Sequence, residues 1–250
     1  MNLLILTEQD RVTDQFFAVS GRRRRHIINV LHAGQGDTLA VGLVDGPAGS
    51  GTIERFEKGK VVLNCTWQDE VVIYGPEIEL ICALPRPQTL KKVLQTAAAM
   101  AVSNIHIINA NRVEQCYFNS TAMTDESIRQ NLLEGLSQGK ITRLPKVHIN
   151  PRYRCFIEEV LPRRIAAQPG RPLKLVADVD SETYINRSLL INRPRIYLAI
   201  GPEGGWVPFE LEIMRQQGFV PITMGHWPLR VENAVVAALA QAKLVAESLK

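Results

Sequence analysis

Two glycine-bearing segments late in the chain have the composition of ligand-binding loops. The first is Ile200-Gly201-Pro202-Glu203-Gly204-Gly205-Trp206, and the second runs from Met224 through Leu229-Arg230-Val231-Glu232-Asn233 to Ala234. Each lies between a predicted strand and a predicted helix. Glycine lets backbone groups approach a ligand closely, and ligands of open α/β sheets bind beyond the carboxyl ends of the strands. The segments therefore predict two walls of one pocket, although a tight turn before a helix also accounts for the first.

Arg230 and Glu232 are the charged side chains of the second segment, at the start of the last predicted helix. The amino end of a helix favours anions, so the helix dipole does not account for an arginine there. A functional arginine at the mouth of the pocket is one interpretation. The other is a surface ion pair between the two side chains.

A third candidate is the run Arg22-Arg23-Arg24-Arg25, followed by His26. Four adjacent arginines can neutralise the phosphates of a nucleic acid. A solvated charged face is the alternative interpretation, and it also suffices for Lys91-Lys92 and Arg163-Arg164.

Missing motifs and the composition exclude several classes of protein. The chain lacks a G-x-G-x-x-G segment after a strand, a phosphate-binding G-x-x-x-x-G-K-[ST] loop, G-x-S-x-G and H-E-x-x-H. Its four cysteines form no C-x-x-C pair and have no histidine at ligand spacing, so we expect no metal. The net charge of +4 permits an anionic partner without demanding one.

The hydrophobic segments predict a cytoplasmic protein that makes no contact with a membrane. The apolar run at the amino terminus is too short for a signal peptide, and no run is long enough to span a bilayer. Reduced cysteines are the simplest expectation for such a protein.

The elements that would position these residues fall into two groups. Short strands at 38–41, 52–56 and 61–63, preceded by a helix near 22–31, predict a small β-barrel or sheet. The pattern changes at Tyr74-Gly75-Pro76. Beyond it, strands alternate with helices, which predicts an α/β domain with a parallel sheet. The strands are expected at 78–84, 105–108, 173–179, 195–200 and 220–224, and the helices at 88–101, 124–137 and from 231.

The motifs resemble those of the RsmE-type 16S ribosomal RNA (uridine-N3) methyltransferases of the SPOUT superfamily. The resemblance covers essentially the whole chain. It is carried by Ile200–Gly205 with Glu210, by Met224-Gly225 and Leu229–Ala234, and by His26–Leu31 near the amino terminus. The chain departs from the family's pattern at His32, Gln95–Ala101, Leu136–Lys140, Val179-Asp180 and Asn233.

The resemblance implies a PUA-like RNA-binding β-barrel over residues 1–74 and a SPOUT domain with a trefoil knot over residues 75–250. It also implies a homodimer that binds S-adenosylmethionine and acts on 16S ribosomal RNA of the small subunit. The expected cofactor-binding residues are Leu198, Ile200, Gly201, Gly204, Gly205, Met224, Gly225, Leu229, Val231 and Asn233. The expected RNA-binding residues are Arg22, Arg23, Arg24, Arg25 and Arg112.

The chemistry of the reaction that the resemblance implies makes Arg230 and Glu232 the candidate catalytic residues. Methylation of uracil N3 requires loss of its proton, and a fixed guanidinium would stabilise the resulting anion. Arg230 is the candidate for that role, whereas Glu232 would orient Arg230 or help remove the proton. A methyltransferase for another RNA and a catalytically silent RNA-binding paralogue are the alternative functions.

Overall fold

The computed structural model describes residues 2–68, 76–192 and 195–248. Among these, residues 2–68 and 133–144 form one compact unit, and residues 76–132, 145–192 and 195–248 form a second. The domain boundary that the sequence predicts, between residues 74 and 75, lies outside the described residues.

The first unit is built on a five-stranded sheet in the order β1-β3-β4-β5-β2. Strand β1 is parallel to β3, and the other pairs are antiparallel. Alternate side chains such as Phe17, Val19 and Leu63 are fully buried, as the pleat of a strand requires. The elements are β1 (Leu4–Leu6), β2 (Phe16–Ser20), α1 (Gly21–Asn29), β3 (Thr38–Leu43), β4 (Ala48–Glu57) and β5 (Lys60–Trp67). The predicted helix and strands are confirmed, whereas β1 and β2 were not predicted.

The second unit contains a six-stranded parallel sheet in the order β11-β9-β10-β6-β7-β8. The central strands are mostly apolar and almost fully buried, as is typical of a parallel sheet covered on both faces. The strands are β6 (Glu77–Ala83), β7 (Asn104–Ile108), β8 (Lys146–Asn150), β9 (Leu173–Ala177), β10 (Arg195–Ile200) and β11 (Val220–Ile222). The predicted parallel sheet is confirmed, but β9 and β11 each end two residues early and β8 was not predicted.

Loops connect the strands of the second unit to its helices. These helices are α2 (Pro87–Ala99), α3 (Asp125–Gly139), α4 (Tyr153–Cys155), α5 (Leu161–Ala166), α6 (Arg187–Leu190), α7 (Pro208–Gln216) and α8 (Val231–Glu247), with the part of α3 from residue 133 belonging to the first unit. A π-helical turn, Phe156–Val160, joins α4 to α5. Thr124 caps α3 by accepting a hydrogen bond from the amide of Ser127. Helix α8 packs against α2. Within the described part of the chain, no helix combines the length and apolar character needed to cross a bilayer.

A buried ionic network lies on one face of the parallel sheet. The Glu79 carboxylate, which is fully buried, accepts hydrogen bonds from His106 Nε2 at 2.9 Å and from Arg164 Nε at 3.1 Å. Arg164 also donates to Asn104 at 2.7 Å, and the rings of His106 and His148 are stacked. Burial raises the pKa of Glu79, but the hydrogen bond from His106 and the charge of Arg164 outweigh burial, so the pKa lies below 4.5.

We expect Glu79→Gln to lower the free energy of unfolding by about 3 kcal/mol at neutral pH, because the partly buried Arg164 loses its counterion. A lowered folded-state pKa stabilises the protein above the unfolded value of 4.5, and this stability is lost as the pH falls through the folded value. Urea unfolding from neutral pH to about pH 3 should therefore show the deficit of the variant shrinking with acidification. Glu159→Gln, which removes an exposed pair with Arg163 in the same unit, should cost below about 1 kcal/mol.

Candidate active site

Four loops leave the carboxyl edge of the parallel sheet, and together they form the candidate site. Strands β10, β6 and β7 are neighbours, so the loops that follow Ile200, Ala83 and Ile108 emerge side by side. The loop after β11 emerges at the same edge, separated from β10 by β9 alone. Both glycine-bearing segments therefore lie where ligands of such sheets bind.

The first glycine loop is closed so tightly that two of its glycines admit no larger residue without movement. A Cβ at Gly204 would lie 2.9 Å from Arg112 Cδ, and one at Gly201 would lie 3.1 Å from the indole nitrogen of Trp206. The guanidinium of Arg112 donates a hydrogen bond to the carbonyl of Gly204. Gly205 adopts a left-handed conformation with φ of +72°. Close packing and backbone conformation thus account for this glycine pattern.

Glu210 fastens the first glycine loop to the loop after β7. Its buried carboxylate accepts a hydrogen bond from the amide of Asn111 at 2.7 Å and another from the amide of Val207 at 2.9 Å. The hydroxyl of Tyr153 donates to the backbone carbonyl of Glu210 at 2.7 Å. Sequence reasoning placed Glu210 in a family motif without giving it a role, and the structure supplies one.

Glu203 links the same glycine loop to the loop after β6. Its carboxylate accepts a hydrogen bond from the amide of Arg86 at 3.0 Å. Burial, assisted by the charge of Glu203, raises the pKa of Cys82 to about 12. Cys82 therefore remains a thiol at neutral pH and is no nucleophile.

The second glycine loop presents both backbone curvature and exposed apolar surface. Thr223 Oγ1 donates to the carbonyl of Gly225 at 2.9 Å and accepts from its amide at 3.2 Å. Gly225 has φ of +127°, which an L-residue rarely adopts. Trp227 is 77% exposed, and Leu229 is also exposed. The second glycine loop therefore offers exposed apolar side chains beside a sharply turning backbone.

Arg230 and Glu232 do not form the surface ion pair that was one interpretation of the sequence. Arg230 precedes α8, and its carbonyl accepts a hydrogen bond from the amide of Ala234. Among the described residues its side chain makes no hydrogen bond or ion pair. Glu232 instead pairs with Lys92 of α2, with 3.1 Å between Nζ and Oε1. Its own backbone amide and Lys92 hold the pKa of Glu232 below its usual value.

The other predicted cofactor-binding residues fall into three environments. Ile200 and Met224 lie where the glycine loops begin, at the carboxyl edge. Val231 is buried and Asn233 exposed in the first turn of α8. Leu198 is fully buried within β10, between its partners Leu80 and Leu175, so its side chain belongs to the core.

The four predicted RNA-binding arginines of α1 differ in what they contact. Arg23 donates two hydrogen bonds of 2.6 Å to Asp10 and one to the carbonyl of Ile5. Arg22 pairs with Glu134. Arg24 Nε is buried without a partner, and Arg25 is exposed. Arg23 is therefore committed to the fold of the first unit, and the run is not uniformly solvated.

Comparison with known proteins gives a family model and relatives of similar length. The model for an RNA methyltransferase domain matches residues 74–243. A ribosomal RNA small subunit methyltransferase E from Treponema pallidum is 28% identical, over 95% of this chain and 89% of its own. A ribosomal RNA small subunit methyltransferase E 1 from Borreliella burgdorferi is 22% identical, over 95% of both chains.

Solved structures share the fold over nearly the full length. A ribosomal RNA small subunit methyltransferase E from Neisseria gonorrhoeae, bound to S-adenosylmethionine, aligns with a TM-score of 0.75 at 20% identity over 95% of both chains. A methyltransferase from Legionella pneumophila in complex with the same cofactor aligns with a TM-score of 0.77 at 21% identity over 98% of both chains. The resemblance read from the motifs is thus confirmed.

We expect Glu210→Gln to destabilise the protein by about 2 kcal/mol, because the amide group of glutamine cannot accept hydrogen bonds from both backbone amides. Glu212→Gln is the matched control on the same helix, since Glu212 is exposed and binds only Gln216 among the described residues. Thermal or urea unfolding of both variants measures the difference. Equal stabilities of the two variants would contradict the anchoring role of Glu210.

Proposed function

Since the chain belongs to the family of RNA methyltransferase domains, we propose that it transfers a methyl group from S-adenosylmethionine to N3 of a uridine in 16S ribosomal RNA. The observation that carries this proposal is the unpaired Arg230 beside two glycine loops at one edge of the parallel sheet. The relatives named as ribosomal RNA small subunit methyltransferases, which align along nearly the whole chain, support it.

The residues of the two loops fit the proposed cofactor. The indole nitrogen of Trp206 is a buried donor without a partner in the first loop, and the exposed Leu229 offers an apolar contact for an adenine ring. Backbone groups of the glycines can approach a ligand without interference from a side chain. The proposed binding residues are Ile200, Gly201, Gly204, Gly205, Met224, Gly225, Leu229, Val231 and Asn233, with Leu198 behind them in the core. When bound, the cofactor supplies an electrophilic methyl group on a sulfonium centre.

Arg230 is the proposed catalytic residue. Uracil N3 carries a proton at neutral pH, and transfer of this proton to solvent water leaves an anion shared between N3 and two carbonyl oxygens. The Arg230 guanidinium can stabilise that charge with planar, directional donors. Glu232 is also proposed to act at the site, but its lowered pKa makes it a weak proton acceptor. We therefore propose that Glu232 positions the start of α8, and with it Arg230, through its ion pair with Lys92.

The finer features of the architecture are proposed from the resemblance. The first unit is PUA-like, the second carries a SPOUT trefoil knot, and the protein acts in the cytoplasm. The chain forms a homodimer through its second unit. The exposed side chains of Val236, Ala240 and Leu244, at four-residue intervals on α8, support an isologous apolar contact.

Transfer of labelled methyl groups to RNA from cells that lack the protein tests the function, and nucleoside analysis identifies the product. We expect 3-methyluridine in 16S ribosomal RNA. Arg230→Ala should lower turnover by about a hundred- to a thousandfold, as loss of one oxyanion donor does. Melting and cofactor titration should remain close to wild type, because Arg230 has no side-chain partner among the described residues.

Arg215→Ala is the control for Arg230→Ala, since Arg215 is an exposed arginine of the same unit paired with Asp178. It should leave turnover unchanged. A folded Arg230→Ala protein that keeps more than about a tenth of wild-type turnover would contradict the catalytic role. Cofactor binding without methyl transfer by the wild type would instead favour a silent paralogue, and methylation of another RNA would change the substrate.

We also propose that the arginines of α1, together with Arg112, bind RNA phosphates. Arg25→Ala should reduce the slope of log affinity against log salt by about one unit without changing stability. Arg23→Ala should instead lower the unfolding free energy by about 2 kcal/mol, because Asp10 is left buried without its counterion. Arg55→Ala, in an exposed pair of the same unit, is the control for both measurements. An unchanged salt slope in Arg25→Ala would show that this arginine lies on a merely solvated face.

A further inference from the structure

We infer that Lys92 is a positioning residue, which keeps the carboxylate of Glu232 away from Arg230 and so leaves the guanidinium of Arg230 available to the substrate. The inference rests on the proposed catalytic role of Arg230. Lys92 itself need not touch the substrate or the cofactor.

Lys92 and Glu232 meet where α2 packs against α8. Lys92 Nζ donates to Glu232 Oε1 at 3.1 Å. The side chain of Glu232 is only 15% exposed, whereas that of Lys92 is 61% exposed. The carboxylate is therefore held on the α2 side of the first turn of α8.

Arg230 is the competing cation for this carboxylate. It lies two residues before Glu232, and its side chain has no ion pair or hydrogen bond within the described residues. A guanidinium and a carboxylate within reach form a strong, often bidentate pair. Such a pair would neutralise the positive charge of Arg230 within the protein, so that this charge would no longer stabilise a uracil anion.

Lys92 and Arg230 compete for Glu232 at neutral pH because the Glu232 carboxylate is ionised there. Its own backbone amide and the ammonium of Lys92 hold its pKa low, so the carboxylate is charged under working conditions. A charged carboxylate next to a catalytic arginine needs another counterion if the arginine is to remain free. Lys92 provides that counterion.

Stability does not explain the pair, because ion pairs with an exposed partner contribute little to folding. Lys91, the adjacent residue of α2, is also exposed and forms no ion pair in the described part of the chain. Lys91 is therefore a matched control that differs from Lys92 in its distance from Glu232 and not in charge or helix.

The experiment measures methyl transfer by Lys92→Met and Lys91→Met. Lys92→Met should lower kcat about tenfold, a fraction of the loss expected from removing a donor to the anion, with the KM for S-adenosylmethionine and the melting temperature close to wild type. Lys91→Met should keep the wild-type kcat. Lys92→Arg should retain most of the activity, because it keeps a cation against Glu232.

A second variant separates positioning from structure. Lys92→Met/Glu232→Gln should recover the kcat of Glu232→Gln alone, because a neutral amide does not neutralise Arg230. Lowering the pH should likewise raise the ratio of Lys92→Met to wild-type kcat, since protonation of Glu232 frees Arg230. A merely structural loss would show neither effect.

The Arg230 Nε–H resonance, identified by its loss in Arg230→Lys, reports the pairing without turnover. It should shift in Lys92→Met, return in the double variant and stay in place in Lys91→Met. A resonance that does not move, or a Lys92→Met protein with wild-type kcat, overturns the inference. If the resonance moves but no protein methylates RNA, the pairing stands and the proposed function fails.

Discussion

The candidate site depends on the carboxylate of Glu210, which joins two loops that the sequence separates by about a hundred residues. It accepts hydrogen bonds from the amides of Val207 and Asn111, so it holds the start of α7 next to the loop after β7. Arg112 follows Asn111 and reaches the carbonyl of Gly204. A buried carboxylate bound by backbone amides is thus the constraint that shapes the first glycine loop.

Some charged side chains of the second unit stabilise the fold, whereas Arg230 is placed for the proposed chemistry. The buried carboxylates of Glu79 and Glu210 support the fold: one oxygen of Glu79 is bound by His106 and Arg164, and Glu210 is bound by two backbone amides. Lys92 and Glu232 lie nearer to solvent, at the contact of α2 with α8. Arg230 differs from all of these because no described side chain forms an ion pair or hydrogen bond with it, although its charge acts on Glu232. A charge left unpaired at the edge of a sheet is what a substrate anion requires.

The parallel sheet and both glycine loops could be predicted from the sequence, because buried strands are apolar runs and their loops carry glycine. Strand β8 could not, since its histidine and lysine break that pattern. The early ends of β9 and β11 follow from tertiary contacts: the amide of Asp178 donates to Ile222, and the amide of Thr223 donates to Thr183. The role of Glu210 and the choice of Lys92 as partner for Glu232 depend on residues far apart in sequence, which periodicity does not relate.

The same contact gives a meaning to one departure from the family's pattern. The resemblance gives the family a lysine and a glutamate in the stretch where this chain reads Gln95–Ala101, a stretch without charged residues. In the structure Gln95 Nε2 donates to Asn131, and Ala98 is fully buried in α2. Lys92 lies one helical turn before Gln95 and carries the cation that meets α8. The stretch that follows Lys92 carries no cation that could serve Glu232 instead, so in this chain the ion pair between α2 and α8 depends on Lys92.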